Sequence, residues 1–183
     1  MFVVSAYGGI TDLLLEDKRT GAPGVFAHYH EEGPAQPDDG WQAALETVHA
    51  RMLELNRRAL PDTRDRLQAD TFMGTRIADV RRWLSDLRRL CASGHFQLTA
   101  HLDTVREMLA SLGEAHSAFN TVLRLRRHGV NARFEDLTGW GETAAQPLES
   151  VLAGRLARLD PGREMPIFTG YARCSEGLMS VYD

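Results

Sequence analysis

The sequence has few of the features that would mark a disulfide-linked, membrane-spanning or nucleic-acid-binding protein. Its two cysteines, Cys91 and Cys174, form no CxxC pair and predict no disulfide framework. No apolar run is long enough to cross a bilayer, and no basic segment precedes the first apolar stretch as in a signal peptide. The net charge of −4 gives no general attraction to nucleic acid. We therefore expect a cytoplasmic protein that binds neither nucleic acid nor a membrane.

What the sequence does contain is the composition of a globular domain. Its 183 residues are enough for one domain with a sizeable core, and 43% hydrophobic with 25% charged residues is near the globular average. Lysine is nearly absent, since Lys18 is the only one among 21 basic residues. We find no internal repeat and no low-complexity segment.

The stretch Phe2–Leu15 combines a short strand with a glycine turn and the start of a helix. Phe2–Val4 favours a strand, Gly8 and Gly9 allow a tight turn, and Thr11 is an N-cap residue type before an apolar run. This order points backbone N–H groups at a phosphate or carboxylate. It is also typical of a plain strand-to-helix turn, because neither a GK[ST] nor a GxGxxG motif is present.

A block of helices is predicted for residues 39–112. One helix begins at Asp39 and stops before Pro61, and the next begins near Asp62 and ends at Gly94. Residues 18–40 are interpreted as mainly loop, with a short ordered piece at 25–29. His28 and His30 lie in that loop and are expected to be surface residues rather than metal ligands.

The second helix carries an apolar stripe and a set of arginines on its other faces. A solvated helix face is the favoured interpretation of the arginines over a phosphate patch, since acidic residues are interspersed among them. The apolar stripe consists of Ile77, Val80, Leu84, Leu87 and Cys91. The arginines are Arg76, Arg81, Arg82, Arg88 and Arg89.

The rest of the chain, from residue 99 onward, predicts alternating helices and strands. One helix is expected over 99–112, and another after Gly113 with Glu114 in its first turn, where the helix dipole favours a carboxylate. Strands are predicted at 130–137 and 166–168, with a helix at 147–159 between them. Strands separated by helices indicate an α/β fold with a largely parallel sheet, and the helical block is then an insertion in it.

Three motifs, in this order, resemble those of the aspartate kinases. They are VVSAYGGITDLL, ASLGEAHSAFNTVLRLRRHGVNARFEDLTG and PIFTGYARCSEGLMSVYD. In that family the corresponding segments read VVSAxxGxTxxLL, SxGExxSA followed by a helix, a glycine and a strand, and PVxxGFxxxxxG. The resemblance covers essentially the whole chain and is closest to the aspartate kinases that accompany ectoine biosynthesis.

The resemblance implies a three-layer α/β/α sandwich of the amino-acid kinase type, incomplete here, over residues 1–183. It implies transfer of the γ-phosphoryl group of ATP, with Mg²⁺, to the side-chain carboxylate of L-aspartate, and a homo-oligomer for the full-length protein. Ser5, Ala6, Gly8 and Gly9 correspond to nucleotide-binding positions. Thr11 and Glu114 correspond to substrate-binding positions, and Ser117 and Gly170 match motif positions that can serve packing and turn geometry.

Two family motifs are missing from the sequence. The KxGGTS strand, whose lysine stabilises the transferring phosphoryl group, is absent, and Lys18 lies beyond the glycine turn. The RGGSD-like segment is also absent. The resemblance therefore predicts an internal fragment with no catalytic residue of its own and negligible kinase activity. It further predicts that Thr11 and Glu114 form two walls of one pocket.

Two alternatives remain open at this point. Another amino-acid kinase, such as a glutamate or acetylglutamate kinase, would share the fold but not the GE motif. A non-catalytic helical interaction protein would use the stripe from Ile77 to Cys91 as its binding face and would bind no nucleotide.

Overall fold

The computed structural model describes most of the chain in two compact units. Met1–Ala6 and Glu114–Asp183 form one unit, which we call the sheet unit, and Tyr7–Gly113 form the other, which we call the helical unit. The described residues are 2–31, 39–142, 146–160, 162–174 and 177–180, with only the backbone given at 39 and at 177–180.

Helices and strands alternate in the sheet unit, whereas helices predominate in the helical unit. The helices are α1 (Ile10–Leu14), α2 (Val25–Glu31), α3 (Asp39–Ala59), α4 (Thr63–Ala92), α5 (Leu102–Arg127) and α6 (Leu148–Leu156). A 3₁₀ turn occupies Leu98–His101. The strands are β1 (Phe2–Val4), β2 (Ala132–Glu135), β3 (Met165–Thr169), β4 (Tyr171–Cys174) and β5 (Gly177–Ser180).

The sheet unit contains a three-stranded parallel sheet in the order β1-β3-β2, and β4 and β5 form a separate antiparallel pair. Val4 pairs with Thr169, and Glu135 pairs with Phe168. The carboxyl ends of the three parallel strands therefore meet at one edge. The prediction of an α/β fold with a parallel sheet is confirmed.

Successive residues of β3 face opposite sides of this sheet and pack against different helices, as the two-residue period of a strand requires. Ile167 joins Ala118 and Val122 of α5 in one apolar cluster. Phe168 joins the other cluster, in which Val151 and Leu152 of α6 participate. Both faces of the sheet are thus covered by helices.

The helical unit is built around α3, which packs against α1, α2 and α4. Tyr29 of α2 lies at its centre, fully buried, with its ring edge-on to Trp41 and its hydroxyl donating to the carbonyl oxygen of Leu84 at 3.0 Å. The guanidinium of Arg88 lies over the Tyr29 ring and donates to the Tyr29 carbonyl oxygen at 3.1 Å. This contact ties α4 to α2.

The predicted ends of α3 and α4 agree with the structure. The Asp62 side chain caps α4 by accepting from the N–H groups of Arg64 and Asp65 at 2.9 and 3.2 Å. Gly94 follows the end of α4 with a φ of 79°, the left-handed conformation that glycine adopts at a helix end.

Two predictions about the helical unit were wrong in part. The short ordered piece predicted at 25–29 is the helix α2 and extends to Glu31, so His28 and His30 lie in the last turn of a helix instead of a loop. Arg76 and Arg88 are buried instead of solvated, and the Arg76 guanidinium lies over the Phe72 ring. The ring and carbonyl oxygen of Tyr29 draw the Arg88 guanidinium out of water, and the ring of Phe72, one turn earlier in α4, covers that of Arg76.

The helix break predicted at Gly113 was also wrong, because α5 continues without interruption from Leu102 to Arg127. A glycine inside a helix costs only about 0.5–1 kcal/mol relative to alanine. Burial of every residue from Leu109 to Ala118 outweighs that cost. Glu114 consequently lies in the interior of α5, not in the first turn of a helix.

We predict that Gly24→Ala destabilises the helical unit, whereas Gly74→Ala does not. A Cβ at residue 24 would lie 2.6–2.7 Å from the carbonyl oxygens of Asp12, Leu13 and Leu15, and backbone atoms cannot move cheaply. We expect a loss of roughly 1–3 kcal/mol in the free energy of unfolding. A Cβ at Gly74, within α4, has no neighbour closer than 4.0 Å, so about 0.5–1 kcal/mol should be gained. Urea titration followed by circular dichroism measures both, and equal stability of the two variants would contradict the prediction.

Candidate functional site

The candidate site lies in the sheet unit, at the edge where the three parallel strands end. Ser5 follows β1, Asp136 follows β2 and Gly170 follows β3. Crevices at the carboxyl ends of parallel strands are the usual ligand sites of open α/β sheets. Two side chains of α5, Glu114 and Ser117, contact residues of this edge.

Glu114 is the most unusual side chain of this edge. It is 7% exposed, and its Oε2 atom is buried without a hydrogen-bond partner among the described residues. Burial raises the pKa of the Glu114 carboxyl to about 7, and the backbone N–H groups of Tyr171 and Gly170 oppose that increase. Because Glu114 lies inside α5, the dipole of a helix N-terminus does not stabilise its charge. This corrects the electrostatic environment that the sequence predicted for it.

Ser117 connects the end of β1 to α5. Its hydroxyl lies 2.6 Å from the carbonyl oxygen of Ser5 and 3.0 Å from that of Glu114. A hydroxyl has one proton to donate, and the shorter distance favours Ser5 as its acceptor. The start of the predicted nucleotide loop is thereby held one helical turn from Glu114.

Sequence reasoning missed a second group of polar residues, at the ends of β2 and β3. The hydroxyl of Thr169, which is fully buried, accepts from the N–H of Leu137 at 3.1 Å and donates to the carbonyl oxygen of Tyr171 at 3.0 Å. Asp136 accepts from both the N–H and the hydroxyl of Thr138. An Asp followed two residues later by Thr is a turn signal, which could have indicated the contacts between Asp136 and Thr138.

The predicted nucleotide-binding residues are divided between the two units. Ser5 and Ala6 belong to the sheet unit, and Gly8 and Gly9 belong to the helical unit. Gly9 has a φ of 79° and stands at the N-cap of α1. A Cβ at either glycine would meet nothing within 4 Å, so the surface here is open to a ligand.

Thr11 lies inside α1, which begins at Ile10, and is therefore not a capping residue. It is half-buried in the helical unit, whereas Glu114 belongs to the sheet unit. The pocket shared by these two residues stays a prediction.

His116 is a second perturbed group on α5, two residues from Glu114. It is fully buried, and its Nε2 atom lies 3.2 Å from Nδ2 of Asn120. Burial lowers the pKa of the His116 imidazole to about 4. Both groups are stabilised in their neutral form. Acid therefore favours the folded state through Glu114, which gains a proton and becomes neutral, and disfavours it through His116, which becomes charged.

Neither a metal site nor a membrane-spanning helix is found among the described residues. Within the described ranges, no three His, Cys, Asp or Glu side chains are grouped so that they could hold a metal ion. None of the helices found in the described part of the chain has both the length and the apolar character that a membrane span requires.

We predict that Glu114→Gln changes both the free energy of unfolding and its dependence on pH. A carboxyl whose pKa is about 7 when folded and 4.5 when unfolded stabilises the protein fully below pH 4.5 and loses that contribution as pH rises through 7. The variant should therefore be more stable than the parent at pH 8, by about 3 kcal/mol, and close to it below pH 4.5.

Acidification of the variant should also expose the opposing effect of His116. The pKa of the His116 imidazole is about 4 in the folded protein and 6.5 in the unfolded chain. Its contribution to the free energy of unfolding is therefore fully present above pH 6.5 and is lost as the pH falls toward 4. With Glu114 neutralised, stability should decrease steadily over this range. Urea titrations at several pH values measure it, and Glu149→Gln on the exposed surface of α6 is the control. An identical pH profile for Glu114→Gln and the parent would contradict the prediction.

Comparison with known proteins gives one clear relationship. No protein-family model matches the chain. The protein "Aspartate kinase Ask_Ect" of Stutzerimonas stutzeri (strain A1501) is 49% identical over 183 residues, which is 100% of this chain and 38% of that relative. The chain thus spans less than half the length of the protein it matches. The resemblance stated from the three motifs is confirmed: over its whole length, this chain is similar to an aspartate kinase.

Proposed function

We propose that the chain forms part of the substrate site of an aspartate kinase with the amino-acid kinase fold, a three-layer α/β/α sandwich. In the whole protein, the γ-phosphoryl group of MgATP is transferred to the side-chain carboxylate of L-aspartate to give 4-phospho-L-aspartate. Identity of 49% to an aspartate kinase along the entire chain supports this proposal. So does a parallel sheet with apolar clusters on both faces. We further propose that the whole protein is cytoplasmic and homo-oligomeric.

The observation on which the proposal depends is the Glu114 carboxyl. It is buried at the edge where the three parallel strands end, and its Oε2 atom has no hydrogen-bond partner among the described residues. A buried charge of this kind is costly unless a partner of opposite charge joins it. Burial already shifts its pKa to about 7, so the folded chain holds a carboxyl that a cation would stabilise in its ionised form.

The α-ammonium group of L-aspartate is suited to that role. Its N–H groups would donate to Oε2, and a charge-assisted hydrogen bond of this type is stronger than a neutral one. Binding would lower the pKa of Glu114 and release a proton near neutral pH. The two carboxylates of the substrate would lie away from Glu114, and Thr11 is proposed to donate a hydrogen bond to one of them.

Nucleotide binding is proposed for the residues that follow β1. The backbone at Ser5 and Ala6 leaves the carboxyl end of the strand, and the open surface at Gly8 and Gly9 would let phosphate oxygens approach the main chain. Mg²⁺ is proposed to bind chiefly through the nucleotide phosphates, as is common in phosphoryl-transfer sites. Bound there, it would neutralise charge that develops on the transferring group.

The residues proposed for this chain bind and orient, and none of them acts as a base. A substrate carboxylate is ionised at neutral pH, so the attacking oxygen needs no deprotonation. Phosphoryl transfer depends mainly on positioning and on stabilisation of charge. The lysine that supplies this stabilisation in the aspartate kinases has no counterpart here, since Lys18 lies beyond α1.

We predict that L-aspartate binds this chain with an affinity that depends on Glu114. Because the ammonium group pairs with the ionised carboxyl, whose pKa is about 7, the affinity should rise about tenfold between pH 6 and pH 8. Glu114→Gln should remove this pH dependence and weaken binding. Isothermal titration calorimetry in two buffers of different ionisation enthalpy measures both the affinity and the proton release.

Succinate, which lacks the amino group, is the matched ligand control. Its binding should be as weak to the parent as to Glu114→Gln, and Glu149→Gln should bind L-aspartate as the parent does. L-Glutamate tests the alternative of another amino-acid kinase. Equal aspartate binding by the parent and Glu114→Gln would refute the role proposed for Glu114.

We also predict that the chain alone forms no measurable acyl phosphate from ATP and L-aspartate. Hydroxylamine traps acyl phosphates as hydroxamates, which gives a direct assay of the product. The missing lysine is the reason for the expectation, because an unstabilised phosphoryl group raises the barrier to transfer. Clear hydroxamate formation that depends on L-aspartate would show the expectation to be wrong.

A further inference from the structure

Gly170 forms the turn between β3 and β4, and its backbone conformation does not explain why it is a glycine. Among the described residues, the glycines with positive φ are Gly9, Gly21, Gly94, Gly129, Gly139 and Gly141. Gly170 is not one of them, so alanine could adopt its φ without the strain of the left-handed region. The reason for a glycine at this position must be sought in its surroundings.

The surroundings of Gly170 are the carboxyl group of Glu114. A Cβ at residue 170 would lie 2.8 Å from Oε2, 2.9 Å from Oε1 and 3.1 Å from Cδ of that side chain. These three atoms are its nearest neighbours, and the first two distances are shorter than real Cβ contacts. The carboxyl therefore occupies the space that any side chain at residue 170 would require.

Hydrogen bonds of the Thr169 side chain hold the turn around Gly170 in place. The hydroxyl of Thr169 accepts from the N–H of Leu137 and donates to the carbonyl oxygen of Tyr171, which fixes the backbone on both sides of Gly170. The N–H groups of Gly170 and Tyr171 act to lower the pKa of the Glu114 carboxyl, against the effect of burial. If a methyl group were added at residue 170, the carboxyl at the end of a flexible side chain would move more easily than this turn.

We propose that Gly170 is a positioning residue for Glu114. Because it has no side chain, the carboxyl can lie against the β3–β4 turn, with Oε2 left available to a ligand ammonium group. The ligand in this statement rests on the proposed function, whereas the placement of the carboxyl does not. Gly170→Ala then acts on the site by displacing Glu114, not by disturbing the sheet.

The test is a double-mutant cycle of Gly170→Ala and Glu114→Ala in the full chain, with Gly154→Ala as control. A Cβ at Gly154, in α6, has no neighbour within 4 Å. The first readout is the titration of the Glu114 carboxyl by ¹³C NMR. In Gly170→Ala the carboxyl should move toward water, and its pKa should fall from about 7 toward the ordinary value of 4.5. An unchanged or higher pKa overturns the proposal.

The second readout is the affinity for L-aspartate, with succinate as the ligand that lacks an ammonium group. Gly170→Ala should weaken aspartate binding by about tenfold or more, as for the loss of one charge-assisted hydrogen bond. In the Glu114→Ala background, the same substitution should have almost no further effect. An equal loss in both backgrounds overturns the proposal, because the methyl group would then act through something other than Glu114.

The third readout is the stability of the variants, which tests the role of Gly170 independently of ligand binding. If Gly170→Ala is too unstable to titrate, the double variant with Glu114→Ala should recover parental stability, since the clashing carboxyl is gone. Failure of the double variant to fold would place the fault in the turn and overturn the proposal. If the parent binds no L-aspartate, the proposed function fails, but the titration of Glu114 in the parent and in Gly170→Ala still decides the role of Gly170.

Discussion

The parallel pairing of β3 with both β1 and β2 is the constraint on which the sheet unit depends. β3 is the central strand, and its register with β1 and β2 brings all three carboxyl ends to one edge. Two successive residues of β3, Ile167 and Phe168, belong to the apolar clusters on the two opposite faces of the sheet. The position of Gly170 beside Glu114 follows from this pairing, because β3 ends directly before the turn that contacts α5.

The elements that could be predicted from the sequence are those specified by local signals. Asp62 and Gly94 bound α4 at the expected positions, because a capping carboxylate and a left-handed glycine act within one or two residues of the helix end. The strands around Ala132 and Ile167 were predicted from short runs of strand-favouring residues between turn signals. These interactions are formed within the segment itself, so the segment's own residues reveal them.

The predictions that failed required knowledge of distant residues. Gly113 reads as a helix break in isolation, but the packing of α5 on both sides of it keeps the helix continuous. The same limitation applies to Arg88, which is drawn out of water by the ring and carbonyl oxygen of Tyr29, far away in the sequence. For the candidate site, the GE motif indicated Glu114 as a candidate residue, but not the turn after β3 that contacts its carboxyl. The electrostatic character of that residue depends on contacts that no local pattern encodes.

The separation of β1 from β3 in the sequence has a consequence for how the protein is made. On the ribosome, β1 emerges before β3, which follows only after the whole helical unit and α5 have been synthesised. At roughly 5–20 residues per second, this delay is on the order of ten seconds. The contacts of the helical unit lie within Tyr7–Gly113 and can form during that time, whereas β3, with which β1 pairs in this sheet, has not yet been made. The nascent chain must therefore keep β1 apart from β3 until nearly all of the described residues have been translated, which is an interval in which chaperones would have access to β1.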